Sequence, residues 1–272
     1  MNEFFSVISN SDPFVLSRSK DSERLFSPLL GKNNFGGTMG LVKDLCGQLD
    51  QMVNDQFSSI EFTSFLNVPL TLDRGRFYVV QNALYTSNRR DCWGYVQGGA
   101  PLEVKRVIWE HESDELINDP RVGMDHFNLT VKQGEVIGLK REDFENVQVP
   151  AMVQACFHAW HHIAMRGHWL SAYAASHMLE RRNNGKIVKG GGMSFRVGKK
   201  FENELGISLK KMISLDVHVA ADMDHSDNIS EMFERYVKTA DDAERVLEGA
   251  RESMAIDRAY RGALGFYLEK IN

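Results

Sequence analysis

The chain has 272 residues, 43% of them hydrophobic and 25% charged, the proportions of an ordinary globular protein. A formal net charge of −5 argues against a nucleic-acid binder, which would carry a basic stripe. No run approaches the roughly eighteen apolar residues of a membrane span.

Residues 1–35 read as an irregular N-terminal arm that closes in "GKNNFGG", and 36–272 as one helical-bundle domain. The opening "MNEFFSVISNSDPF" has no cationic start and no long apolar run, so a signal peptide is not expected. Within the domain, periodicity predicts helices over 39–55, 72–88, 100 to just before "NDP", 123–137, 150–182, 208–237 and 240–271. Pro120 ends the third, because it removes a donor and restrains Asp119. Pro150 stands where a helix opens. "NNGKIVKGGG" reads as a glycine-rich cationic break. The expectation is an all-α bundle. The three cysteines, Cys46, Cys92 and Cys156, are odd in number and widely spaced, with no CxxC pair. That argues against a disulfide framework and a thiolate zinc site, and makes a reducing cytoplasm the expected location.

The stretch "SLDVHVAADMDHSDNI" holds two histidines and four aspartates. On a helix, at about 100° per residue, His218, Asp222 and His225 fall within a sector of roughly 60°. Leu215 and Ile229 share that sector, so it faces the core, while Asp216 and Asp224 point elsewhere. A buried charge is costly unless it is paired or bound to metal, and imidazole with carboxylate suits iron or manganese. A hydrogen-bonded polar face is the other reading of this stretch.

Two further segments bear on the choice. In "WEHESDELINDPRVGMDHF", Glu110, Glu112 and Glu115 precede His126. Glu115 and His126 lie eleven apart, about three helical turns, although Pro120 interrupts the path. In "SAYAASHMLERRNNG", Glu180 follows an apolar run of small residues, an odd place for a carboxylate. On one continuous helix His177, Tyr173, Trp169, His162 and His158 share its face. His162 would then stand about 27 Å along the axis, out of reach of a shared metal. The histidine-rich "FHAWHHIAMRGH" therefore reads as packing or pocket lining. Tyr173 and His177 are better placed to line a substrate cavity. Together these pieces offer Glu, His, Glu and then His-x3-Asp-x2-His from separate helices, the way bundles build dinuclear iron or manganese centres.

This order resembles the heme-oxygenase-like diiron oxidases, relatives of the thiaminase and PQQ-synthase folds, over residues 65–240. The carriers are His218-Val-Ala-Ala-Asp222-Met-Asp-His225, "AASHMLE" ending in Glu180, and "DPRVGMDHF" with His126. The segment between Glu180 and His218 is longer than the family's. The resemblance implies a heme-oxygenase-like bundle of about seven helices, often a homodimer. It implies metal ligands at Glu115, His126, Glu180, His218, Asp222 and His225, with Glu112 competing for the first place. The implied cofactor is two Fe ions, Fe2+ before O2 binds, with manganese the alternative. The implied activity is O2-dependent oxidation of a small molecule in specialised metabolism: desaturation, N-oxygenation or C–C cleavage. An amino-acid-derived carboxylate is the favoured substrate, clamped by an arginine from among Arg74, Arg76, Arg166 and Arg196. An external electron donor is needed, because no dinucleotide fingerprint or iron–sulfur cysteine set is present. A metal-independent oxidase or a thiaminase-like hydrolase of the same fold, with Cys156 as nucleophile, is the alternative. A non-enzymatic helical module is a third reading.

Overall fold

Among the described residues the chain winds into ten α-helices. The computed structural model describes residues 37–145 and 147–272; the side chains of 37–39, 222–224 and 228–229 lie outside that description. The chain divides into Met1–Phe35 and Gly36–Asn272, and the expected N-terminal arm falls outside the described residues. The helices are α1 (Gly37–Gln56), α2 (Ile60–Asn67), α3 (Leu72–Gly99), α4 (Leu102–Leu116), α5 (His126–Glu135), α6 (Ala151–Arg166), α7 (Trp169–Arg181), α8 (Met193–Leu205), α9 (Ile213–Tyr236) and α10 (Ala240–Lys270). Among the described residues the one β pairing is an isolated bridge between Asp119 and Met124, so the fold is all-α as expected.

The difference between about seven helices and ten has three local causes. The long helix expected over 150–182 is two. Gly167 takes an extended conformation, and the His168 side chain caps α7 by accepting from the Leu170 N–H. The rise argument that set His162 about 27 Å from Glu180 therefore does not apply. Both His158 and His162 are exposed on α6 instead. Helix α2 starts at a Ser59 cap that accepts from Phe62 N. Helix α8 follows the glycine-rich break "NNGKIVKGGG", in a stretch where no helix was expected. Met193, Val197 and Phe201 recur four apart on its buried side, and Gly206, at φ +68°, ends it in the left-handed conformation that favours glycine.

Helix α3 also runs eleven residues past its expected end at Asn88, from Arg89 to Gly99. The extension carries Arg89, Arg90 and the buried Trp93 into the interior.

Helix α7 forms the centre. Every residue from Leu170 to Arg181 is buried, because Ser171, Ala172, Ala174, Ala175 and Ser176 leave room for neighbouring backbones. The closest neighbour is α10, where a Cβ at Gly249 would overlap the Ser171 carbonyl. Ser253 Oγ donates to Ala175 O at 2.6 Å and accepts from Trp160 Nε1 at 3.2 Å, tying α10, α7 and α6 together. Around this axis α3, α4, α5 and α9 close the other side.

Candidate metal centre

Four helices bring imidazoles and carboxylates to one interior region. On α4, His111 and Glu115 are four apart and so share a face, about 6 Å apart along the axis. On α9, His218 and His225 are two turns apart. The pairing of His111 with His225, and of Glu115 with His218, means that α4 and α9 run antiparallel. Helix α5 supplies His126 from its first residue, directly after the Asp125 cap. Helix α7 supplies Glu180.

Two clusters result. In one, His111, Glu180 and His225 place one ligand atom each within 4.8 Å of one another; in the other, Glu115, His126 and His218 do the same. All six are buried except His218, which is partly so. The His111 and His225 rings meet edge to face at 4.5 Å, and those of His126 and His218 at 4.6 Å.

The surrounding hydrogen bonds orient the donors. His111 Nδ1 meets Glu112 Oε1 at 2.9 Å, so Nε2 turns toward Glu180, 3.8 Å away. His218 Nδ1 donates to Ser214 O at 2.6 Å. His126 Nε2 meets Asp119 Oδ2 at 3.0 Å, and its Nδ1 faces Glu115 Oε2 at 3.0 Å. Three imidazoles thus have one nitrogen committed to an oxygen and the other turned to the site, the usual support for a metal-bound histidine. His111 Nε2 and both ring nitrogens of His225 have no hydrogen-bond partner. Buried polar atoms without a partner are costly, and a bound cation would satisfy His111 Nε2 and one nitrogen of His225. The donor set and its orphaned nitrogens therefore fit divalent iron or manganese.

At Glu115, Glu180, His218 and His225 the electrostatics agree. Burial alone would raise the carboxyl pKa of Glu115, but Arg90 and His126 outweigh it and hold it well below the usual range. Glu180 is held down by His111 in the same way. Burial and the facing His111 depress His225 to about 4, which keeps its imidazole neutral and able to coordinate. Burial and His126 also lower His218. His126 goes the other way: burial would lower it, yet Glu115 and Asp119 lift it to about 9.

Of the residues singled out in the sequence, Glu115, His126 and His218 share one cluster, and Glu180 and His225 share the other. Asp222 lies within α9, but its side chain is outside the described residues. Glu112 stands beside the clusters as the partner of His111 and of Arg90, at 3.3 Å. Tyr173 is fully buried among Trp93, Trp169 and Phe233. His177 is also buried, against Phe233, with Nε2 3.2 Å from Arg181 Nη1. Burial and Arg181 push its pKa well down. Neither lines a described cavity.

The arginines expected as clamps are elsewhere. Arg166 is exposed at the end of α6. Arg74, Arg76 and Arg196 donate to the main-chain carbonyls of Ile271, Ile137 and Gly191. Cys156 is buried on α6, where burial and Asp257 push its thiol up to about 11, the wrong direction for a nucleophile.

Sequence reasoning missed two residues. His111 sat in "WEHESDEL" beside three glutamates, and its signal was the i,i+4 pairing with Glu115. Arg90 ion-pairs with Glu115 Oε2 at 2.6 Å. Burial opposes its charge, but Glu115 and Glu112 raise its pKa. A helix ending at Asn88 had left it outside.

A cavity of about 380 Å³ opens onto His111 and His225, and Glu103, Glu110, Asp114 and Arg121 line it. A second, of about 40 Å³, touches Glu115, Glu180 and His218 from the α3 side.

Comparison with known proteins bears on this centre. The profile of a family described as iron-containing redox enzymes matches residues 76–258, which span every residue of both clusters. No curated protein matches the chain in sequence. Among solved structures, a domain of unknown function with a heme oxygenase-like fold from Shewanella denitrificans superposes with a TM-score of 0.67 at 16% identity, covering 85% of this chain and 95% of that one. A CADD-like protein of unknown function from Nostoc punctiforme gives 0.65 at 13% identity, covering 83% and 97%. A TenA homologue from P. horikoshii gives 0.53 at 15% identity, covering 82% and 99%. At such identities these likenesses speak to fold alone, and the fold is heme oxygenase-like.

Proposed function

The chain belongs to the iron-containing redox enzyme family, and on that premise we propose that it is a non-heme diiron oxidase or oxygenase. Its substrate would be a small carboxylate, an amino acid or derivative, oxidised by desaturation, N-oxygenation or C–C cleavage in specialised metabolism. The observation that carries this reading is the pair of buried clusters, each with two imidazoles and one glutamate, in which ring nitrogens of His111, His126 and His225 lack a hydrogen-bond partner.

His111, Glu180 and His225 would hold one ion, and Glu115, His126 and His218 the other, with Asp222 expected to contribute from α9. When bound, two divalent irons supply electrons and open positions for dioxygen reduction. The chain supplies the rest. Glu112, Asp119 and the Ser214 carbonyl fix which nitrogen of each histidine faces inward. Trp93, packed on His111 at 5.5 Å, helps keep bulk water out. Further electrons come from an external donor, because among the described residues no cysteine set or dinucleotide loop could hold one. A metal-free hydrolase of the same fold would need a competent nucleophile, and the raised thiol of Cys156 does not offer it.

Anaerobic reconstitution with iron(II), followed by metal analysis and oxygen-electrode assays against a panel of amino and fatty acids, tests the proposal. About two iron per chain and substrate-dependent oxygen uptake are expected. A folded protein that retains no iron under these conditions would falsify it.

A further inference from the structure

The small cavity on the α3 side is lined by a buried guanidinium with no carboxylate partner. Arg89 is 3% exposed, and its Nε and Nη2 have no hydrogen-bond partner. Its guanidinium lies over the Trp160 ring at 5.8 Å, a contact that does not replace an acid. Two neighbouring cations, Arg182 and Arg261, also surround Tyr85. The carboxylate in their midst is Asp257, and it is already shared between them, at 2.9 Å to Arg182 Nε and 3.4 Å to Arg261 Nε. Arg90, next along the chain, is taken by Glu115 and Glu112. Among the described residues, Arg89 is thus a buried cation with no acid of its own, which folding tolerates only at a cost.

It lines the cavity of about 40 Å³ together with Tyr85, Arg90, Glu115, Glu180 and His218. That volume exceeds a single water site, for which roughly 10–15 Å³ suffices, and it admits a small polar head rather than a whole amino acid. The Tyr85 hydroxyl accepts from Arg182 Nη2 at 3.0 Å, which leaves its own proton to donate. A planar fork, a phenol donor and a space of this size match a carboxylate. The glutamates on the same wall oppose an anion until cations neutralise them, so the site becomes attractive on metal loading.

We propose that this cavity receives the carboxylate of the substrate, with Arg89 as its ion-pair partner, so that the acid end is anchored beside Glu115, Glu180 and His218. The inference rests on the metal-centre reading above and adds to it the residue that selects for acids. Arg89 is a positioning residue here; the four arginines favoured from the sequence are not needed for the task.

Acetate serves as the probe, being the head group alone. Its binding is measured by calorimetry on iron-loaded and metal-free protein, for the wild type, Arg89→Met and Arg89→Lys, with iron content determined on each sample. The expected result is acetate binding to the loaded wild type, weakened by about tenfold or more in Arg89→Met, with iron content unchanged. Arg89→Lys keeps the charge but loses the fork, and falls between the two. If Arg89→Met does not fold, Arg89→Lys against wild type decides. Equal acetate affinity in wild type and variant, or none in either form of the wild type, overturns the subsite. A wild type that takes up no iron yet binds acetate through Arg89 sinks the metal reading and leaves the subsite standing. One that loads iron with acetate binding indifferent to Arg89 does the reverse.

Discussion

Two buried charged clusters meet at the C-terminal turn of α7, one through Glu180 and the other through Arg182. The Arg182 side is closed. Asp257 ion-pairs with both arginines, and Tyr85 accepts a hydrogen bond from Arg182. The Glu180 side is open: imidazole nitrogens face carboxylate oxygens and one another with no hydrogen bond between them. Both have the desolvation cost of charges in an apolar interior. In the first it is offset within the fold; in the second the fold leaves it for a ligand to offset. Partnering, rather than burial or charge count, separates scaffold from site.

The sharpest way to break this contrast is to remove donors on the open side. The double variant His111→Ala/His225→Ala leaves Glu180 as the one remaining donor of its cluster. It should lose about one of two iron equivalents after anaerobic reconstitution, with its circular dichroism unchanged. Two retained irons would show that these histidines are ordinary core residues.

On the closed side, Asp257→Ala strands two buried guanidiniums and should cost about 3–5 kcal/mol of stability in denaturant titration. Iron uptake by the folded fraction should stay at the wild-type level. If the loss of stability is negligible, or if iron uptake falls with it, the two clusters are not separable in the way drawn here.

Between them stands Glu112, which touches His111 without belonging to a cluster. Glu112→Gln should weaken iron binding by about 10–100-fold, the usual consequence of losing a carboxylate that orients a ligand histidine. Competition with a chromophoric chelator measures it, and a complete loss would promote Glu112 from orienting group to ligand.

The smallest effect belongs to a polar cluster with no interior role, the cap of α10. Thr239 Oγ accepts from Asp242 N, and the Asp242 carboxylate accepts from Thr239 N. Burial works against the Asp242 charge, but hydrogen bonds from the Thr239 hydroxyl and from the Lys238 and Thr239 N–H groups lower its pKa below 3.8. A carboxyl depressed in the folded state stabilises above its unfolded value, and that contribution fades as pH falls through the folded one. Thr239→Ala should therefore cost about 1 kcal/mol at neutral pH and progressively less in acid melts below pH 3.8. A cost that does not change with pH would mean that the threonine caps without help from Asp242.

Much of this was legible along the chain. Helical periodicity is local, so the all-α class and the extents of α1, α9 and α10 came within a few residues of the observed ends. His218 and His225 fall on one face because backbone geometry alone spaces them, and Glu180 was conspicuous because small apolar residues surround it. The helix ends were harder. Asn88 resembled a stop, yet packing against α6 and α7 carries α3 on to Gly99. Gly167 was overlooked within a histidine-rich run that periodicity joined into one helix.

Sequence by itself therefore determined which residues could coordinate a cation and which helix faces they occupy, because both follow from side-chain chemistry and a fixed rise per turn. Tertiary structure decided which imidazole meets which glutamate, that His111 joins them, that Glu112 stands behind it, and that Arg90 is spoken for while Arg89 is not. Those are distances between helices. They depend on how closely α4, α7 and α9 approach and in which direction each runs, and no spacing within a single helix encodes them.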